Sequence, residues 1–122
     1  MVSVYISYSR QDKEYVDQLR DALRKNGLNA WVDDRKDDEA DWPKANAKKM
    51  EESDAFIFVM SDHSQVSRWV QYELLEAIWE NKPTFALLLQ GKDWIEKAEY
   101  VTIDVRDGEL PPQSFFDVLK SL

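Results

Sequence analysis

"AFIFVM", Ala55 to Met60, is six apolar residues in a row, set between the charged "KKMEESD" and the polar "SDHS". A strand with one wet face alternates polar and apolar residues. A short run that does not alternate reads as a strand buried on both faces of a parallel sheet, and therefore as its centre. Upstream, "VSVYIS" at residues 2–7 is a β-branched and aromatic strand. Behind it, Tyr15, Val16, Leu19, Ala22 and Leu23 keep helical spacing. Ser9 stands where it caps that helix with Asp12 three residues on, and Gly27 after Asn26 ends it. "LNAWVD" at 28–33 reads as a second strand, and Pro43 suits the first turn of a helix running to about Glu52.

Downstream the same alternation continues. A helix in "SRWVQYELLEAIWE", Ser67 to Glu80, is followed by the strands "TFALLL" at 84–89 and "YVTIDV" at 100–105. A closing helix carries a stripe of Phe115, Val118, Leu119 and Leu122. Five strands alternating with helices predict one α/β domain over residues 1–122. Its sheet is open and parallel, with right-handed crossovers and helices on both faces.

Composition narrows the partners. With 43% apolar residues, 12% aromatics and three glycines in 122 residues, the chain is a packed globular domain. A formal charge of -8 argues against nucleic acid, whose backbone is bound by clustered Lys and Arg. There is no cysteine, so disulfides, thiolate chemistry and cysteine metal sites are excluded. No apolar run approaches membrane-spanning length, and Met1 leads directly into a strand-like segment. A cytoplasmic protein without a membrane partner is the expectation.

In open parallel sheets ligands bind beyond the carboxyl ends of the strands, where strand order reverses; for the common order 2-1-3-4-5 that point lies between the first and third strands. Here those ends are "SYSRQD", Ser7 to Asp12, and "SDHS", Ser61 to Ser64. A receiver-type Mg²⁺ site needs an acidic cluster after the first strand, where this chain has Ser7, Tyr8 and Ser9. Gly27, Gly91 and Gly108 form neither a dinucleotide fingerprint nor a phosphate loop. No metal site is expected: the lone histidine, His63, lacks converging ligands and a neighbouring nucleophile, and reads as a polar loop residue. Ser7, Tyr8 and Ser9 suit a strand end and helix cap as well as a binding site.

On the helix after "SDHS", Val66, Val70, Leu74, Ala77 and Ile78 share an apolar arc at 100° per residue. Glu73, Glu76 and Glu80 fall on the neighbouring arc with Trp69. Glu73 is the one beside the apolar edge, on the row from Trp69 to Ala77, so it is expected at the boundary of the buried face. By itself this pattern suits a solvated glutamate.

Four pieces in order carry a resemblance: "VYISYSRQD" at 4–12, "GLNAWVDD" at 27–34, "DW" at 41–42 with "MEESDAFIFVMS" at 50–61, and "SRWVQYELLEA" at 67–77. Together they resemble a Toll/interleukin receptor (TIR) domain over essentially the whole chain, and more specifically its prokaryotic NAD⁺-cleaving type. The resemblance implies a flavodoxin-like fold and two different jobs. Some members are self-associating signalling modules without enzymatic activity, while others cleave NAD⁺ with a glutamate on the third helix, often in Trp-x-x-x-Glu. Trp69 and Glu73 match that pattern.

By resemblance, then, the chain is a TIR-domain NAD⁺ nucleosidase of microbial immunity, releasing nicotinamide and ADP-ribose or a cyclic isomer. Glu73 is the catalytic carboxylate; NAD⁺ is the substrate, with no further cofactor. Trp69 walls the site or packs in the core, Tyr8 and Ser9 line the adenosine or ribose side, and Trp42 is a further substrate-binding candidate. Other TIR domains are the implied protein partners, because family enzymes commonly complete their sites by association.

The chain departs from the family in "DDRKDDEAD", Asp33 to Asp41. This loop usually carries Pro or Gly and mediates assembly; here it has six acids, two bases and neither of those residues. Its net -4 is half the charge of the chain. Copies of such a loop repel one another across the Debye length, so association in isolation is expected to be weak. Replacing Asp37, Asp38 and Glu39 with Ser should make self-association stronger and less sensitive to salt. Sedimentation at low and high ionic strength measures this, and identical behaviour of the two proteins at every salt concentration would refute it.

Overall fold

The computed structural model describes residues 1–32, 48–92 and 101–122. Five strands, β1 (Ser3–Ser7), β2 (Asn29–Val32), β3 (Ala55–Met60), β4 (Thr84–Leu88) and β5 (Val101–Asp104), form one sheet. Their order is β2-β1-β3-β4-β5 and every adjacent pair is parallel, as expected. The helices are α1 (Lys13–Lys25), α2 described over residues 48–52, α3 (Asp62–Gln65), α4 (Arg68–Glu80) and α5 (Gln113–Lys120). Trp42, Pro43 and the acidic stretch 33–41 lie outside the described residues.

β3 is the buried centre that its composition predicts. All six of its residues are buried, and it pairs with β1 on one side and β4 on the other. Side chains alternate across a strand, so β3 feeds two cores. Ala55, Ile57 and Val59 join Val4 and Ile6 of β1, Phe85 and Leu87 of β4, and the apolar sides of α1 and α5. Phe56, Phe58 and Met60 join Tyr5, Ala86 and Leu88 on the opposite face, under Val70 and Ala77 of α4 and Met50 of α2.

Local chemistry sets the helix ends, with some departures from expectation. Ser9 caps a one-turn 3₁₀ helix, Arg10–Asp12, by accepting from the Gln11 N–H, and does not cap α1 itself. Asp12 makes no side-chain cap on α1; its carboxylate accepts from the Ser61 hydroxyl at 2.6 Å instead. Gly27 takes φ +80 after α1, the left-handed conformation that glycine adopts without strain. Asn81 ends α4 at φ 55, a role that asparagine tolerates better than most residues. The short α3, closed by a reciprocal Ser61–Ser64 capping box, escapes a reading based on periodicity because it is only four residues long. On α5 the buried side is Phe115, Phe116 and Leu119, whereas Val118 and Leu122 are about half exposed, so the expected stripe is turned by one residue.

The central strand generates a direct test. Phe58 is fully buried in the core beneath α4. Phe58→Ala should cost about 3–5 kcal/mol in chemical denaturation, from lost transfer energy plus the cavity left behind. A loss below about 1 kcal/mol would contradict close packing at this strand.

Candidate functional site

The strand ends picked out by topology are in contact. β1 and β3 are neighbours, with Ser7 in register with Phe58, and the Ser61–Asp12 hydrogen bond ties the turn after β1 to the turn after β3. Ser7, Ser9, Asp12, Ser61 and Ser64 are all buried, so the carboxyl end of the sheet centre collects polar groups while the strand interiors stay apolar. Gly91, past the end of β4, comes close to the same region: a Cβ there would meet the Asp62 carboxylate at 2.5 Å.

Glu73 belongs to this polar end. It is 1% exposed, which corrects the expectation of a boundary residue. The buried side of α4 is Trp69, Val70, Glu73 and Ala77, with Glu73 in its middle. Val66 at 81% and Ile78 at 40% exposure, both placed on the buried arc by sequence, lie outside it. The cause is that α4 has apolar residues on two sides. Leu75, Ile78 and Trp79 face away from the sheet, so periodicity alone gives no unique orientation.

In this orientation Glu73 meets a set of hydrogen bonds from β1. The Tyr5 hydroxyl donates to Glu73 Oε2, and the Ser7 hydroxyl donates to Oε1 at 2.7 Å. Tyr5 and Ser7 are each 1% exposed and two residues apart, so both point to the α4 side of the sheet. A buried carboxylate is tolerated only when its oxygens are hydrogen-bonded, and these hydroxyls meet that requirement in part or whole. The sequence carried a signal for this arrangement: a strand buried on both faces that sets two hydroxyls on one of them needs a polar partner there. That signal, Tyr5-x-Ser7, was missed.

The remaining candidates separate. Trp69 is 2% exposed and lies one helical turn before Glu73 on the same buried side. Tyr8 packs with Tyr15 and Val16 in the core on the opposite face of the sheet from Tyr5. Ser9 caps the 3₁₀ turn. His63 is exposed on α3, Glu76 accepts from the Tyr72 hydroxyl at 3.1 Å, and Glu80 is half-buried at the helix end. Among the described residues no three His, Cys, Asp or Glu side chains converge as metal ligands.

Two surface pockets lie away from Glu73. One, of about 300 Å³, is lined by Gln11, Asp12, Glu14, Tyr15, Gln18, Leu89 and Gly108. Burial, helped by the Asp107 carboxylate, pushes the Tyr15 phenol there up to about 12, so it stays neutral and donates to the Glu109 carbonyl. The other, of about 440 Å³, sits at the opposite end of the sheet around Met1, Asn26 and Lys120. Glu73 lines neither of these two pockets.

The profile of the TIR domain family matches residues 4–119. Among solved structures, the TIR domain of the Toll-related receptor TRR-2 from Hydra magnipapillata is 21% identical with a TM-score of 0.73, covering 96% of this chain and 97% of that one. The CMP N-glycosidase BcmB of Clostridium botulinum is 16% identical with a TM-score of 0.66, covering 98% of each chain. A chain of the RPS4 and RRS1 TIR domain heterodimer is 17% identical with a TM-score of 0.64, covering 98% of this chain and 94% of that one. At these identities the likeness concerns the fold. No curated protein matches the sequence.

The buried Glu73 also changes what its removal is expected to do. Glu73→Ala opens a cavity and takes an acceptor from both Tyr5 and Ser7, for a cost of about 1–3 kcal/mol. Glu73→Gln fills the same space and keeps one acceptor, so it should melt closer to wild type. Thermal denaturation of the three proteins checks this order, and an alanine variant as stable as wild type would contradict the buried geometry.

Proposed function

The chain belongs to the TIR domain family, and from that membership together with the buried Glu73 we propose that it is an NAD⁺ nucleosidase. The observation that carries the reading is the carboxylate held inside the domain by two hydroxyls. A glutamate serving only as a surface charge has no use for that environment. Burying a charge costs stability, so a buried carboxylate at the end of a sheet where ligands bind points to chemistry.

The reaction suits a single carboxylate. The bond from ribose C1′ to the nicotinamide nitrogen breaks, and its electron pair neutralises the pyridinium, so nicotinamide leaves uncharged without a proton donor. Ordinary glycosides need two carboxyl groups because their leaving oxygen must be protonated. The developing oxocarbenium charge is stabilised by a fixed anion in a dry site, the role given to Glu73. Water then adds at C1′ and releases a proton, giving ADP-ribose; attack by the adenine instead gives a cyclic isomer. The likeness to a CMP N-glycosidase supports the reading, since that enzyme's name records cleavage of a bond from ribose to a base nitrogen on a similar fold.

At 1% exposure Glu73 cannot meet a substrate without local opening, and association between domains is the natural trigger. A second reading rests on its own observation. Leu75 at 66% and Trp79 at 86% exposure, with Ile78 beside them, form an apolar outer side of α4 suited to another protein surface, and a TIR domain of similar fold is known in a TIR heterodimer, that of RPS4 and RRS1. On that reading the chain is a non-enzymatic interaction module. Both readings suit a cytoplasmic protein of innate immune signalling.

One assay separates them. Concentrated protein, free and clustered on beads, is incubated with NAD⁺, and nicotinamide release is followed for wild type and Glu73→Gln. Turnover by wild type and its loss in the variant, with a similar melting temperature, is the expected outcome. Silence of wild type in both formats would overturn the enzyme reading, and turnover that survives the substitution would overturn the role of Glu73.

A further inference from the structure

Tyr5 and Ser7 do more than satisfy a buried charge. Each donates a hydroxyl to a different oxygen of Glu73, and all three residues are 1% exposed. Two hydroxyls on the two oxygens of one carboxylate are also what the vicinal diol of a ribose would present. The protein thus supplies from β1 the same donors that the substrate would bring. The three side chains are buried from bulk solvent, which strengthens these contacts.

We propose that Tyr5 is a positioning residue that latches Glu73 in this enclosed arrangement, with Ser7 as its second arm, so that substrate hydroxyls must displace it to engage the carboxylate. The inference rests on the NAD⁺-cleaving reading of the site and adds what sets its affinity. A hydrogen bond to a charged group that has to be broken on binding lowers apparent affinity by about tenfold or more. The latch also accounts for a domain that buries its candidate carboxylate. Opening of α4 relative to β1, by partner binding or by a high substrate concentration, exchanges the internal hydroxyls for those of the ribose.

The decisive variant is Tyr5→Phe. It removes one oxygen and keeps the ring, which meets Phe56 edge-on with centroids 6.5 Å apart at 78°, so the fold should be retained. Three quantities are measured: KM and kcat for NAD⁺ on clustered protein, and the Kd for ADP-ribose by calorimetry, which needs no turnover. The expected result is a fall in both KM and Kd of about tenfold with little change in kcat, together with a lower melting temperature. Ser7→Ala is the second variant and should move Kd in the same direction.

A hydroxyl with a purely structural role would lower the melting temperature and leave KM and Kd unchanged. That result, or a rise in KM and Kd, with Glu73→Gln inactive, overturns the latch and leaves the nucleosidase reading standing. Turnover retained by Glu73→Gln overturns the role of Glu73, and the latch falls with it, whereas silence of wild type overturns the nucleosidase reading itself.

Discussion

A carboxylate pressed between a helix and a parallel strand has to be hydrogen-bonded, and α4 is rotated on the sheet so that β1 supplies those bonds. Glu73 reaches Tyr5 and Ser7 only if its row, Trp69 to Ala77, faces inward. Leu75, Ile78 and Trp79 are then turned to the outside. Apolar burial alone does not single out one side of this helix, because apolar residues lie on two of its sides. With this side turned in, the hydroxyls of Tyr5 and Ser7 meet the buried carboxylate, which without them would cost more to bury than one tryptophan gains on burial.

The same logic runs along the carboxyl end of the sheet. Ser7 with Glu73 and Ser61 with Asp12 are buried pairs that join elements far apart in sequence. Below them β1, β3 and β4 are packed with apolar side chains from both faces. A fold of this kind concentrates its polar, adjustable contacts where the loops meet the strand ends, and keeps rigidity in the strands beneath.

Much of the architecture was legible because it rests on local signals. "AFIFVM" without alternation, the helical spacing of Tyr15, Val16 and Leu19, and Gly27 after Asn26 each report a short-range preference, and all three appear as read. Glu73 was legible as a position through the pairing with Trp69. Its environment was not, because Tyr5 lies 68 residues away in the chain. The turned arcs of α4 and α5 and the diversion of Asp12 from a helix cap to Ser61 have the same origin. In each case a contact distant in sequence outweighs a local preference worth a fraction of it.

By itself the sequence determined the class of the domain and the alternation of its strands and helices, since hydrophobic period and turn chemistry act within a few residues; the strand order was expected from the common topology of such sheets. Only the tertiary structure decided that Glu73 is enclosed rather than at an edge, that its two oxygens are held by β1, and that an apolar side of α4 is left facing outward. Those outcomes depend on which polar groups meet when the helix docks, and a hydrogen bond across the fold leaves no periodic trace in the chain.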